Sequence, residues 1–135
     1  MVNVKSVVNM SYRPIKEMLY DKDEIESHEY LKHNTVYIYF KNGDVAIRYH
    51  LTDVIRLKAN GDTVFKNDGW FTHTTKARIN QYSTDFTIMS IKGIWYIFDK
   101  MDLPYWARPN PKSPNFCGIK FYDGIVIGKD GKEKK

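Results

Sequence analysis

A single cysteine, Cys117, is present among 135 residues. One thiol excludes an internal disulfide and a cysteine-based zinc cluster, and it fits a reducing compartment. No apolar run approaches the ~18 residues that a membrane span needs. The opening stretch, MVNVKSVVNM, is too short and too polar for the apolar region of a signal peptide. These absences predict a soluble intracellular protein with no membrane partner. Also missing are a His-Glu-x-x-His pair, a Gly-x-x-x-x-Gly-Lys-Ser/Thr loop, a Gly-x-Gly-x-x-Gly turn and a Gly-x-Ser-x-Gly elbow. Without them the chain has no recognisable zinc site, phosphate cradle or hydrolase nucleophile. The sequence therefore calls for no cofactor or metal and points away from an enzyme.

Proline is confined: four of the five fall within residues 99–116, where LPYWARPNPKSPNF reads as an irregular, aromatic-rich loop. The rest of the chain is free to form regular structure. Its length suits one domain, since typical domains run to ~100–150 residues. The formal net charge is +5, with a pI near 9.2. The imbalance is uneven, because residues 1–33 hold five Lys/Arg against six Asp/Glu, and the remainder holds 16 against 10. A basic lean makes polyanions plausible partners, although many small domains carry such a charge for solubility alone.

Val2, Val4, Val7 and Val8 allow a short strand. Pro14 suits the first turn of a helix, and Ile15, Met18 and Leu19 follow at i, i+3 and i+4 as one apolar stripe. The acidic stretch Asp21–Glu29 reads as a solvated helical or loop face, since it lacks the glycine-centred spacing of a calcium loop. Residues 1–33 are thus expected to be a mixed, helical segment packed on a sheet.

From Thr35 the pattern turns to β. Asn42-Gly43 and Asn60-Gly61 each separate two β-branched runs, a strong hairpin signal. Two-residue turns would pair Phe40 with Val45, Ile38 with Ile47 and Tyr37 with Arg48. In the second hairpin they would pair Leu57 with Val64 and Arg56 with Phe65. That register sends Val36, Ile38, Phe40, Val45, Ile47 and Tyr49 to a core. It sends Tyr37, Tyr39, Arg48, Arg56, Lys58 and Phe65, with His50 less firmly placed, to one outer face.

Asn67-Asp68-Gly69 closes this meander before Trp70-Phe71. Thr72 or Thr74 can cap a helix over residues 75–82 that turns Ile79 and Tyr82 inward. A third hairpin, Phe86–Ile91 and Ile94–Phe98, turns at Lys92-Gly93 and is apolar on both faces, which places it centrally. Ile119–Tyr122 then turns at Asp123-Gly124 into Ile125–Ile127, ahead of a flexible basic tail, 128–135. The expected fold class is α+β: a mainly antiparallel twisted sheet of three hairpins, open or closing part-way into a barrel, with one or two short helices. The β-rich core domain spans 34–127.

Several motifs in this order resemble a family of small bacteriophage proteins. They are Asp44-Val45-Ala46-Ile47-Arg48-Tyr49-His50-Leu51-Thr52-Asp53-Val54, Gly69-Trp70, Thr74-Thr75-Lys76-Ala77-Arg78-Ile79-Asn80, Gly93-Ile94-Trp95-Tyr96 and Phe121-Tyr122-Asp123-Gly124. The likeness spans residues 35–127. Asn42-Gly43-Asp44 stands where the family often has a plain Asp-Gly turn. The resemblance implies a phage or prophage origin and action in the host cell cytoplasm, and it supplies no catalytic residues.

Candidate chemistry is weighed residue by residue. His28 and His33 are five apart and do not share a helical face. Cys117, beside Gly118, is expected to be a buried structural thiol. His50, His73, Lys76, Arg78 and Arg48 could converge as a metal-independent ribonuclease, which needs a base, an acid and cations for the developing phosphorane charge. Binding is the simpler use of aromatic and cationic groups, because bases stack on rings while Arg and Lys neutralise phosphates. The leading expectation is a phage accessory protein that binds nucleic acid, single-stranded by preference and DNA or RNA alike. Its expected contacts are Tyr37, Tyr39, Arg48, His50, Arg56, Lys58, Phe65, Lys76 and Arg78. The alternative is an inhibitor that grips a host protein through loop 104–116, with Tyr105, Trp106, Arg108 and Phe116 as contacts.

Overall fold

A computed structural model of the chain describes residues 13–103 and 108–135. The strand expected near Val2–Val8 lies outside the described residues, as do Tyr105 and Trp106. Among the described residues the α-helices and strands follow in this order. They are α1 (Ile15–Met18), β1 (Ile25–Lys32), β2 (Thr35–Phe40), β3 (Val45–Tyr49), β4 (Thr52–Leu57), β5 (Thr63–Phe65) and α2 (His73–Tyr82). Then come β6 (Phe86–Ile91), β7 (Ile94–Asp99), β8 (Ile119–Lys120), β9 (Ile125–Ile127) and β10 (Glu133–Lys134). The class is α+β, as the sequence predicts, but the strands form two antiparallel sheets and neither closes into a barrel. Seven strands are ordered β1-β2-β3-β4-β5-β9-β10, and three are ordered β6-β7-β8.

Turn chemistry sets the first correction. The Asn-Gly hairpins close through three-residue loops, 41–43 and 59–61. Phe40 N–H bonds to Asp44 O at 2.9 Å, and Lys58 N–H bonds to Asp62 O at 2.8 Å. In a two-residue type I′ turn both central residues need positive φ. Here only the glycines have it, Gly43 at φ 92 and Gly61 at φ 96. Each asparagine instead folds its side chain onto the backbone, where Asn42 Oδ1 accepts the Asp44 N–H and Asn60 Oδ1 accepts the Asp62 N–H, both at 2.9 Å. This asparagine turn leads naturally into a left-handed glycine, so the loop takes one residue more.

One residue of slip exchanges the faces of the returning strand. The observed pairs are Tyr39 with Val45, Ile38 with Ala46, Tyr37 with Ile47 and Val36 with Arg48. In the second hairpin they are Leu57 with Thr63, Arg56 with Val64 and Ile55 with Phe65. Tyr37 and Tyr39 therefore share a face with Val45 and Ile47. Arg48 and Arg56 share the opposite face with Val36, Ile38, Phe40 and Ala46. The single outer face that was to join rings and guanidiniums does not exist.

Both faces of the long sheet are covered. On one side Ile47, Ile55, Phe65, Ile125 and Ile127 pack with Ile79 of α2 and with Phe86, Ile88, Trp95 and Ile97 of the short sheet. On the other side Val36, Ile38, Phe40 and Ala46 pack against Met18, with Ile15, Leu19 and Ile25 alongside. The third hairpin turns at Lys92-Gly93 as expected, with Ile91 paired to Ile94. It lies in the separate short sheet because its two apolar faces bury as a second layer. Ile119–Tyr122 and Ile125–Ile127 are not a hairpin: β8 pairs with β7, and the chain crosses at Asp123-Gly124 to pair β9 with β5.

The ends of the long sheet hold two further corrections. Residues 25–32, expected to be helix or loop, form edge strand β1, joined to β2 through His33 and Asn34 at φ 50 and 59. An edge strand with most residues in solvent carries little alternation of polar and apolar residues, so its period-2 signal is absent. The tail supplies the opposite edge, because Glu133 and Lys134 pair with Ile127 and Val126. The free edge of β6 is closed by a side chain, since Asn80 of α2 donates to Ile88 O at 2.9 Å and accepts from Ile88 N at 2.7 Å. Among the described residues no helix is long and apolar enough to cross a membrane.

Candidate functional site

Arg48 anchors one face of the long sheet. Its side chain is 0% exposed, and every guanidinium N–H has an acceptor. Nε donates to Asp53 Oδ1 at 2.5 Å and Nη1 to Met18 O at 2.8 Å and Asp21 Oδ1 at 2.7 Å. Nη2 donates to Asp21 Oδ2 at 2.9 Å and Asp53 Oδ2 at 3.2 Å. The Tyr20 ring lies over the cation, 4.4 Å from its centroid. Burial opposes the charge, yet the hydrogen bonds to both carboxylates hold the Arg48 pKa above its ordinary value. The Arg48 hydrogen bond in turn holds the Asp21 carboxyl below its own.

Arg56 continues the ladder. It bonds Asp44 at 2.9 Å, reaches Asp53 at 3.5 Å and lies 3.9 Å from the Phe40 ring centroid. Burial pushes the Asp44 carboxyl upward, but the Ala59 N–H and the Arg56 guanidinium together hold it low. Lys58 ends the series 3.9 Å from Asp44. Acid and base alternate along this face, so its cations are already neutralised. Arg48 and Arg56 tie the N-terminal segment and the hairpins together.

An open cleft of about 520 Å³ lies at the opposite end of the β2–β3 hairpin from Tyr39. Its walls come from the turn between β3 and β4, the loop 67–72, the first turn of α2, and Arg13. The loop is pinned. Asp123 Oδ1 accepts the N–H groups of Asn67 at 2.9 Å and Asp68 at 3.1 Å, and Asn67 Oδ1 accepts from Gly69 N at 2.9 Å. Asp68 and Gly69 take positive φ, 50 and 83, which explains the Asp-Gly step. Phe71 then packs edge-on against Trp95 and Phe121. Trp70 is left turned outward and 67% exposed. Thr72 caps α2 by accepting the Thr75 N–H at 3.2 Å.

His50 stands in the cleft wall at φ 56, a left-handed conformation uncommon outside glycine. Its Nδ1 accepts from Arg13 Nε at 3.2 Å, and its ring meets Tyr49 edge-on. Burial, aided by the Arg13 charge, lowers the His50 pKa and keeps the imidazole neutral. Arg78 lies 5.5 Å from the centroid of the Tyr49 ring, and its buried Nε meets no acceptor among the described residues. Among the described residues no carboxylate lies within ion-pair distance of Lys76 or Arg78.

The expected residues are thus dispersed. His50 lines the cleft, and Arg78 backs one of its walls. Phe65 is a core residue, fully buried and edge-on to Phe86. Tyr37 leans into the main core, and Tyr39 is half-exposed at the far end of its strand. His50 and Arg78 do not meet Arg48, which lies beneath Tyr20 and α1 on the other face, so the expected ribonuclease constellation is not assembled around it. Phe116 packs edge-on against Tyr96 and Phe98, and Arg108 reaches Ser90 O at 3.5 Å. Cys117 is exposed rather than buried. It falls in the irregular segment before β8, where no neighbouring strand covers it. Sequence reasoning passed over Asn67, Trp70 and Arg13. Two large aromatics directly after a tight turn were the available signal, because only one of such a pair can pack inward.

Geometry defines the class: a small α+β protein of two packed antiparallel sheets, with a cleft where the long sheet meets its helix. Residues 17–126 match the Kyanoviridae Gp96 protein family, and the chain belongs to that family of phage proteins. No curated protein and no solved structure matches it.

Proposed function

We propose that this phage protein binds single-stranded nucleic acid, and that it does so at the Trp70 cleft. The observation that carries this reading is the exposed indole on a pinned loop at a cleft lined by Arg13, a cation outside the carboxylate ladder. A base stacked on an aromatic ring gains ~1–3 kcal/mol, whatever its sequence. The volume falls within the ~300–1,000 Å³ of ligand clefts. Among the described residues Arg78 and Lys76 lack carboxylate partners, and Arg13, besides its bond to His50, holds a surface pair with Glu17 at 3.3 Å. Such a surface pair exchanges readily for a phosphate. The net charge of +5 favours the encounter.

The test is a fluorescence-anisotropy titration of labelled single-stranded oligonucleotides at two salt concentrations. Affinity should fall as salt rises, because phosphate contacts release counterions. Trp70→Ala should weaken binding by roughly 5- to 150-fold, the factor that ~1–3 kcal/mol of stacking represents. Tyr39→Ala, at the far end of the hairpin, should leave it unchanged. Absence of binding at low salt refutes the proposal, and equal losses for Trp70→Ala and Tyr39→Ala would move the site off the cleft.

A further inference from the structure

Asn67 carries an observation that folding alone does not explain. The residue is 1% exposed, lines the cleft, and has a buried Nδ2 that meets no acceptor among the described residues. The amide cannot be reversed to relieve this, because its Oδ1 already accepts the Gly69 N–H at 2.9 Å. Buried polar groups are nearly always satisfied, so an orphaned donor beside a cleft asks for an acceptor from a ligand.

Other groups at the cleft also donate. His50 accepts at Nδ1 from Arg13, so in the neutral ring the proton sits on Nε2 and that atom is a donor. The first turn of α2 contributes backbone N–H groups, as every helix N-terminus does. Arg13 is a donor only. The carboxylate at the rim, Asp68, is already occupied by the Thr52 hydroxyl and lies 3.7 Å from Lys66. The cleft therefore gathers several donors beside an exposed aromatic face, and its one carboxylate is already engaged.

We infer that the cleft selects pyrimidines that carry a carbonyl oxygen at position 4, so that thymine and uracil are preferred to cytosine through the Asn67 amide. This rests on the reading of the cleft as a nucleic-acid site. The two pyrimidine classes differ at position 4, where the oxo group of thymine or uracil accepts and the amino group of cytosine donates. An oxo group relieves the orphaned donor, whereas an amino group sets donor against donor.

The experiment compares decamers of dT, dU and dC on wild-type protein, Asn67→Asp and Trp70→Ala. Asn67→Asp keeps an oxygen for the Gly69 N–H and replaces only the orphaned donor, and a thermal melt confirms that it folds. Wild type should hold dT and dU alike, on the order of tenfold tighter than dC. In Asn67→Asp the preference should vanish or reverse, because a carboxylate oxygen accepts from the cytosine amino group. Trp70→Ala should lower all three affinities by a common factor and leave their ratio intact. Equal binding of dT and dC by wild type, with the Trp70→Ala loss still present, overturns the selectivity and leaves the cleft reading standing. A wild-type preference that persists unchanged in Asn67→Asp overturns the role of Asn67. If no decamer binds, both fall together.

Discussion

Replacing Arg48 with methionine separates the two accounts of the cationic strands. The guanidinium makes hydrogen bonds to both carboxylates of its clamp and to the Met18 carbonyl, and its side chain is wholly buried. Methionine fills much of the same volume and makes none of these bonds. Asp21 and Asp53, only 15% and 12% exposed, would face each other without the cation between them. Breaking a buried pair from one side costs about 3–5 kcal/mol. A domain of this size has a total stability of ~5–15 kcal/mol. Arg48→Met should therefore remove between a fifth and all of it.

Urea unfolding at pH 7, followed by tryptophan fluorescence, measures that loss. Asp21→Asn keeps an oxygen acceptor and should cost less, about 1–3 kcal/mol. The double variant should fall short of the sum of the singles, since both act on one contact. The pH dependence has a definite sign. The Asp21 and Asp44 pKa values are depressed in the fold below the ordinary 3.8. Their stabilisation is complete above that value and is lost as pH falls through the folded values. The acid loss should be shallower in Arg48→Met, where the Asp21 pKa is no longer held down. A loss under about 1 kcal/mol would refute the clamp, because even an ordinary buried hydrogen bond contributes that much. Abolished oligonucleotide binding in a fully stable Arg48→Met would restore the sheet face as the docking surface.

Two further outcomes follow from single side chains. Asn80→Ala removes both hydrogen bonds that close the β6 edge and should cost about 1–3 kcal/mol, read by urea unfolding; unchanged amide exchange at Ile88 would show that the edge does not depend on Asn80. His50 is neutral in the fold because its pKa lies below the ordinary 6.5. Its contribution is therefore present above that value and is lost as pH falls through the folded value. His50→Asn, which tolerates the positive φ, should flatten the difference in melting temperature between pH 8 and pH 5. An identical pH difference in wild type and variant would contradict the burial of a neutral imidazole.

Much of the architecture was legible. The Lys92-Gly93 turn, a threonine cap at Thr72 or Thr74, the inward Ile79 and the positions of the first three hairpins follow from residue types that permit few conformations. The strand β1 was not legible because an exposed edge does not need alternating residues. The candidate site was read poorly for a related reason. Arg and Lys on a strand look alike whether they meet water or carboxylate, and the partner Asp21 is remote in sequence from Arg48.

Local chemistry in the sequence decided where the chain turns, which runs become strands and which residues begin the helix. It also carried a likeness to phage proteins and the net positive charge. Only the tertiary structure decided which side each strand presents. One extra residue in each Asn-Gly loop exchanged the faces of β3 against β2 and of β5 against β4. That count depends on whether asparagine takes positive φ itself or folds its side chain over the backbone, a choice of small energy settled by what the finished sheet buries. The slip moved Arg48 from water to a carboxylate clamp, and the pinned loop at Asn67 left Trp70 outside.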